Sequence, residues 1–356
     1  MRYTVDYQKY TLDFKFDART SRGAMKSKDT YFVKVYRKGN PEVFGLGECS
    51  VLKGLSVDDR EGYEQVLDNY CQQLSKLNDL QEFRKLPGLV EWPSIRFGFE
   101  TAVNDLLNGG QRMVLGNAFR LAGAPLPING LIWMGDKEFM LKQIDEKIKQ
   151  GYHCIKLKIG GIAFEQECEL LAHIRQQYAK EQIELRVDAN GAFSPKDAMA
   201  KLEKLASFDL HSIEQPIRQG QYKEMARLCA ESPLPIALDE ELIGARGFTD
   251  KIQLLEKIQP QYIILKPSLL GGLRASEEWV EVCKSLEIGW WITSALEANI
   301  GLNAICQFTA NYEVNMPQGL GTGQLYHNNI DSPLTVAEGS IRYDLKKEWN
   351  LEGLKI

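Results

Sequence analysis

The sequence predicts an α/β barrel of the (β/α)8 type preceded by an N-terminal α+β capping domain. Three observations lead there. From Pro127 onward, short apolar runs alternate with amphipathic stretches, about eight times at a spacing of roughly 25–30 residues. Before that point the chain reads as a strand meander followed by helices. And five successive apolar runs close on a charged residue, in the order Lys, Asp, Glu, Asp, Lys.

The N-terminal part reads as follows. Residues 3 to 16 alternate partially and predict a strand; 17 to 29 are polar with one glycine and predict a loop. TYFVKVYR (30 to 37) predicts a second strand, Lys38-Gly39-Asn40-Pro41 a turn, and VFGLGEC (43 to 49) a third strand. Helical periodicity takes over near Val57, with Tyr63, Leu67, Tyr70 and Leu74 on one side, and again after Pro93, a good first helical residue. The domain division is thus 1–122 for the cap and 123–325 for the barrel. The tail, 326–356, is expected to return to the cap, with a strand over 334 to 345.

The barrel strands are expected at INGLIW (128 to 133), HCIKLK (153 to 158), IELRVD (183 to 188), LHSIE (210 to 214), PIALDE (235 to 240), YIILK (262 to 266), GWWITS (289 to 294) and MPQGLG (316 to 321). Helices are expected between them, for example over 137 to 149, 164 to 180 and 298 to 310. Trp290 and Trp291 are adjacent in a strand and therefore face opposite sides.

Composition narrows the function. The 356 residues are 44% hydrophobic and 26% charged, with a net charge of -5. That balance argues against nucleic acid or an anionic membrane as partner. No apolar run reaches the ~18 residues needed to cross a bilayer. The N-terminus lacks the order of a signal peptide, so a cytoplasmic protein is expected. Seven scattered cysteines without a CxxC pair read as buried reduced thiols.

The charged strand ends carry the chemistry. Active sites of such barrels lie at the C-terminal ends of the strands. There the sequence places Lys156 and Lys158, Asp188, Glu214, Asp239 and Lys266. One charged strand end means little; five in succession describe a ring. Lys156 and Lys158 share a strand face, where like charges repel. Three carboxylates converging at close range need a hard cation, and Mg²⁺ suits them, with Mn²⁺ able to substitute. A lysine near other cations has a lowered pKa and can act as a base. A metal with a lysine base describes proton removal next to a carboxylate, the metal taking the charge of the enediolate. The expected partner is a small-molecule carboxylate. Spacing alone leaves Lys156 and Lys158 interchangeable, and nothing in it sets the oligomeric state.

The motifs KLK (156 to 158), VDAN (187 to 190), IEQP (213 to 216), ALDE (237 to 240) and LKPSLLGG (265 to 272) resemble the enolase superfamily, within it the muconate-lactonising-enzyme-like group. That family carries the cap before a modified TIM barrel. TSALEANIGLNA (293 to 304) and PQGLGTGQLY (317 to 326) resemble the o-succinylbenzoate synthase family of menaquinone biosynthesis. The resemblance implies a hydro-lyase in which Asp188, Glu214 and Asp239 bind Mg²⁺. Lys158 takes the α-proton, Lys266 stays cationic on the other face, and Lys156 lends supporting charge. It further implies that Asn190 and Ser294 orient metal or substrate. The loop 17 to 29, with Ser21 and Arg22, and the segment Gly47 to Leu55 would then close over the mouth.

Other readings are kept open. An N-succinylamino-acid racemase or dipeptide epimerase could use the two lysines as facing bases. SALEANIG lacks the aspartate pair associated with the epimerases. A Schiff-base aldolase on Lys266 would leave the acidic ring without a task. A non-catalytic barrel would bind Mg²⁺ without turnover.

Overall fold

The computed structural model describes residues 2–20 and 23–356. The chain opens with three antiparallel strands in sheet order β1 (Tyr3–Thr20), β2 (Gly23–Arg37) and β3 (Asn40–Cys49). The stretch 17 to 29, expected as a loop, is strand on both sides of a hairpin. The physical reason is the period-2 run Leu12, Phe14, Phe16, Ala18, whose side chains lie in one cluster with Phe32, Leu46 and Trp133. The residues between them, Asp13, Lys15, Asp17 and Arg19, are exposed. The hairpin carries a bulge, since the register passes from Asp13↔Ser27 to Ala18↔Met25. Ser21 and Arg22 lie outside the described residues.

Helices α1 (Tyr63–Ser75) and α2 (Pro93–Leu107) cover the sheet. Leu67, Leu74, Phe99 and Val103 pack with Val33 and Val35. A short α3 (Ala118–Ala122) and β4 (Leu126–Pro127) lead into the barrel.

The barrel units follow in order: β5 (Gly130–Ile132), α4 (Lys137–Lys149), β6 (Cys154–Lys158), α5 (Phe164–Gln177), β7 (Glu184–Asp188), α6 (Ala198–Ala206), β8 (Ser212–Glu214) and α7 (Tyr222–Glu231). Then come β9 (Ile236–Leu238), α8 (Phe248–Ile258), β10 (Tyr262–Leu265), α9 (Pro267–Leu270), α10 (Leu273–Ser285), β11 (Gly289–Ile292) and α11 (Asn299–Thr309). β5 to β11 form one parallel sheet in sequence order. Gln318 and Gly319 close it as an eighth stave. Gln318 N donates to Pro127 O (2.8 Å) and Gly319 N to Ile292 O (2.9 Å), while Asn129 N donates back to Gln318 O (3.0 Å). Counting staves around the ring, β6 is second and β10 sixth, half a circumference apart.

Alternate residues of these strands, such as Ile155, Leu157, Leu185, Val187 and Ile213, are fully buried in the main apolar core. Their neighbours point into the barrel. Trp291 is buried with Ala237 and Ile264, whereas Trp290 packs on Tyr312 of the outer layer.

The tail forms β12 (Leu334–Ala337) and β13 (Ser340–Tyr343). The expected strand therefore exists, but β13 pairs with β4 rather than with the cap sheet. Ile341 and Tyr343 bury alternately against the barrel core, which sets that choice. The flanking segments reach the edge strand β1 instead: Lys15 N donates to Leu325 O (2.9 Å) and His327 N to Asp13 O (2.9 Å). All seven cysteines are free and buried. No described helix is long and apolar enough to cross a membrane.

Candidate active site

Parallel register puts the charged residues side by side. Lys158 is level with Asp188, and Asp188 with Glu214. Asp239 and Lys266 directly follow the last residues of β9 and β10. All six ring residues are almost wholly buried. The structure thus brings Lys156, Lys158, Asp188, Glu214, Asp239 and Lys266 together.

Each carboxylate turns onto a lysine. Lys158 Nζ donates to Asp188 Oδ2 (2.8 Å) and to Asn190 Oδ1 (3.0 Å). Lys156 Nζ lies 3.2 Å from Asp188 Oδ2 and donates to Glu214. Lys266 donates to Asp239 and stands 3.7 Å from Glu214 Oε1. Burial favours the neutral form of every one of these groups, and the partners then decide. For Asp188 the three lysines outweigh burial and hold the carboxyl well below the usual range. Asp239 is lowered too, Lys266 overcoming its burial. Glu214 goes the other way: burial and the Asp188 charge push it up to about 8. Burial would lower Lys156 and Lys266, but the carboxylates beside them raise both. The mutual repulsion expected to lower the lysines is thus outweighed for these two by the acids packed among them.

Asn190, two residues after Asp188, adopts φ 44°, a left-handed turn that asparagine tolerates. Its Nδ2 donates to Glu240 Oε1 (3.1 Å). Glu240 is a residue that the strand pattern misses. One position beyond Asp239 it should face away, but the chain leaves the strand at Asp239 (φ -125°, ψ -81°) and turns Glu240 inward. Its only sequence signal is the doubled acid in ALDE. Ser294 reaches the same cavity, but its hydroxyl is committed: it donates to Glu297 and accepts from Leu296 N (3.1 Å) and Glu297 N (3.3 Å). A serine hydroxyl has one proton and two lone pairs, so Ser294 shapes the turn rather than offering a free donor.

A cavity of about 440 Å³ lies over the strand ends, reached by Lys156, Lys158, Asp188, Asn190 and Lys266. Its apolar wall comes from Phe16, Met25, Leu52 and Leu55 of the cap and Trp133 and Leu296 of the barrel. The hairpin and the Gly47 to Leu55 segment therefore both border the mouth. Lys158 Nζ sits 6.0 Å from the Trp133 ring centre.

The residues fit a hard divalent cation by donor chemistry. The donors are three carboxylates from adjacent strand ends, and buried Glu214 Oε1 accepts no hydrogen bond among the described residues. No three potential ligands are yet grouped around one point among the described residues. Each of the three carboxylates is paired with a lysine instead.

Residues 140–346 match the family model "Enolase C-terminal domain-like", and the chain belongs to that family. Among individual proteins it is 47% identical over 362 residues to the o-succinylbenzoate synthase of Desulfotalea psychrophila, covering 94% of this chain and 97% of that one. The crystal structure of MenC from the same organism superposes with a TM-score of 0.84, at 43% identity over 96% of this chain and 100% of that one. A dipeptide epimerase from Enterococcus faecalis, solved with Mg and the dipeptide L-Leu-L-Tyr, gives a TM-score of 0.81 at 20% identity, covering 98% of each chain; at that identity the likeness speaks for the fold.

Proposed function

We propose that the chain dehydrates 2-succinyl-6-hydroxy-2,4-cyclohexadiene-1-carboxylate to 2-succinylbenzoate, the o-succinylbenzoate synthase reaction. The observation that carries this reading is the pair Lys158 and Lys266, set on opposite staves across three buried carboxylates. The likeness to the Desulfotalea synthase along nearly the whole chain supports the choice of substrate.

Lys158 takes the proton from the carbon bearing the carboxylate. That C–H bond breaks, and its electron pair moves into the carboxylate-conjugated system. The ring C–O bond then breaks, the same Nζ returns the proton, and water leaves as the ring becomes aromatic. One base serving both steps requires the proton and the hydroxyl on the same face, a syn elimination. Asp188 and Asn190 fix the Nζ position through the two bonds described above. Lys266, held cationic by Asp239, faces the other side and stabilises the developing negative charge. Lys156, one pleat deeper, adds charge beneath the substrate carboxylate. Asp188, Glu214 and Asp239 would hold a divalent cation, Mg²⁺ or Mn²⁺, which when bound supplies positive charge beside that carboxylate. The apolar wall from Phe16 to Leu55 suits the hydrocarbon parts of the substrate.

Two facing lysines also suit a racemase or epimerase, which passes a proton from one face to the other. The test runs the purified protein with Mg²⁺ on the cyclohexadiene substrate by ultraviolet absorbance. In parallel, N-succinyl amino acids and dipeptides are incubated in D₂O. Dehydration well above any α-proton exchange is expected, and chelator should abolish it. Fast racemisation or epimerisation with negligible dehydration would overturn the proposal.

A further inference from the structure

We infer that Glu48 is a positioning residue for substrate binding: from the capping domain it holds the N-terminus of α11 and so sets the Ser294–Leu296 wall of the cavity. The inference deepens the reading above and rests on it for the identity of the substrate.

Helix α11 starts without a cap of its own. The residue before it is Ala298, which has no side-chain acceptor. The first N–H groups of a helix have no partner within it, and a buried helix end must find one elsewhere. Here the acceptor arrives from β3. Glu48 Oε1 accepts from Ala298 N (2.9 Å) and from Thr30 Oγ1 (2.8 Å); Glu48 Oε2 accepts from Gly301 N (2.9 Å). Glu48 is fully buried, and a carboxylate at a helix N-terminus also meets the positive end of the dipole. The packing here is close enough to need a glycine: a Cβ at Gly301 would stand 2.9 Å from Glu48 Oε2 and equally close to Cβ and Cγ of Glu297.

The held end connects directly to the cavity. Glu297, also fully buried, accepts from Ser268 Oγ and Ser294 Oγ, the first on the turn after Lys266 and the second at the end of the β11 stave. Between Ser294 and Glu297, Leu296, a cavity-lining residue, adopts φ 65°. A leucine keeps such a conformation only when its surroundings impose it. Tyr326 holds it on one side, its hydroxyl donating to Leu296 O (2.7 Å). The Glu48 clamp holds the other side, through Ala298. The same cap segment runs on through Ser50, which accepts from buried Lys28 (2.7 Å), to Leu52 and Leu55, which line the cavity and cluster with Leu296. Glu48 therefore ties the cap part of the cavity wall to its Ser294–Leu296 part while itself standing outside the cavity lining.

The test compares wild type, Glu48→Gln and Gly301→Ala in the dehydration assay, with amide hydrogen exchange over 294–303 read in the same preparations. Leu67→Ala, in the cap core away from α11, controls for loss of stability alone. Gln offers one acceptor but turns an amide NH₂ toward a second N–H, and the loss of one charge-assisted bond scales to about tenfold. KM should therefore rise about tenfold in Glu48→Gln while kcat stays within about threefold. Ala298 and Gly301 amides should exchange about tenfold faster. Gly301→Ala should reproduce both effects, and it decides the matter if Glu48→Gln does not fold. Unchanged KM with unchanged exchange would overturn the inference, as would an equal rise of KM in Leu67→Ala. If wild type dehydrates nothing, the proposed function fails, and the exchange of Ala298 and Gly301 still decides whether Glu48 holds the helix.

Discussion

Replacing Lys266 with methionine keeps the side-chain length and removes the charge. In the structure that ammonium is paired with Asp239 and stands 3.7 Å from Glu214. Its loss leaves Asp239 without an ion-pair partner among the described residues and Glu214 with Lys156 alone. Removing one partner of a buried pair costs about 3–5 kcal/mol, because the other charge stays behind without compensation. Thermal melting in chelator should therefore fall markedly in Lys266→Met. A cation held by the same carboxylates replaces the missing charge, and at a hundred times its Kd it adds about 2.7 kcal/mol. Added Mg²⁺ should thus recover most of the lost stability and raise the mutant's Tm more than the wild type's. It should not recover activity. Removing one preorganised electrostatic donor lowers kcat by about 10²–10³. The assay is dehydration by absorbance at saturating Mg²⁺, paired with melting curves with and without chelator. A mutant that keeps kcat within about fivefold of wild type would refute the stabilising role of Lys266. A Tm unaffected by Mg²⁺ in both proteins would refute the metal site.

Further outcomes follow from groups outside the ring. Burial, with the Arg186 charge adding to it, lowers the His211 imidazole below its usual 6.5. The unfolded chain then takes up this proton first, so the stability tied to His211 is full above about pH 6.5 and is lost as pH falls below it. His211→Gln should flatten the fall of Tm between about pH 7 and 5, as melting curves at several pH values would show. Asp105 lies fully buried, 2.8 Å from Arg112 Nε, and accepts from Leu46 N (3.0 Å) and Met113 N (3.1 Å). Asp105→Ala should cost about 3–5 kcal/mol in chemical denaturation while kcat of the folded fraction stays near wild type.

Much of the ring was legible in the sequence because strands and barrels are periodic. A side-chain period of two puts Lys156 and Lys158 on one face, and the strand-end rule gathers Asp188, Glu214, Asp239 and Lys266 with them. What escaped lies where the period breaks. Glu240 turns inward because the chain leaves β9 at Asp239. The hairpin over 17 to 29 looked like a loop because its exposed face is all polar; the apolar face needs the bulge near Phe14 to keep its register. The β13–β4 pairing joins segments some two hundred residues apart, a distance over which local pattern carries no information. Glu48 is of the same kind: in sequence it is one acid at the end of a strand, and only the fold brings α11 to it. Ser294 lines the cavity where the strand-end pattern places it, but its hydroxyl is committed to partners set by the turn at Leu296, which no strand period shows.

The most direct test of the account is turnover by Lys158→Ala with Mg²⁺ present, beside melting curves that confirm folding and cation binding. Lys158 is the group assigned to carry the proton in both halves of the reaction. Lys158→Ala should fold, its Tm should still rise with Mg²⁺, and its dehydration rate should be lost almost entirely. Turnover near the wild-type rate in that protein would contradict that role.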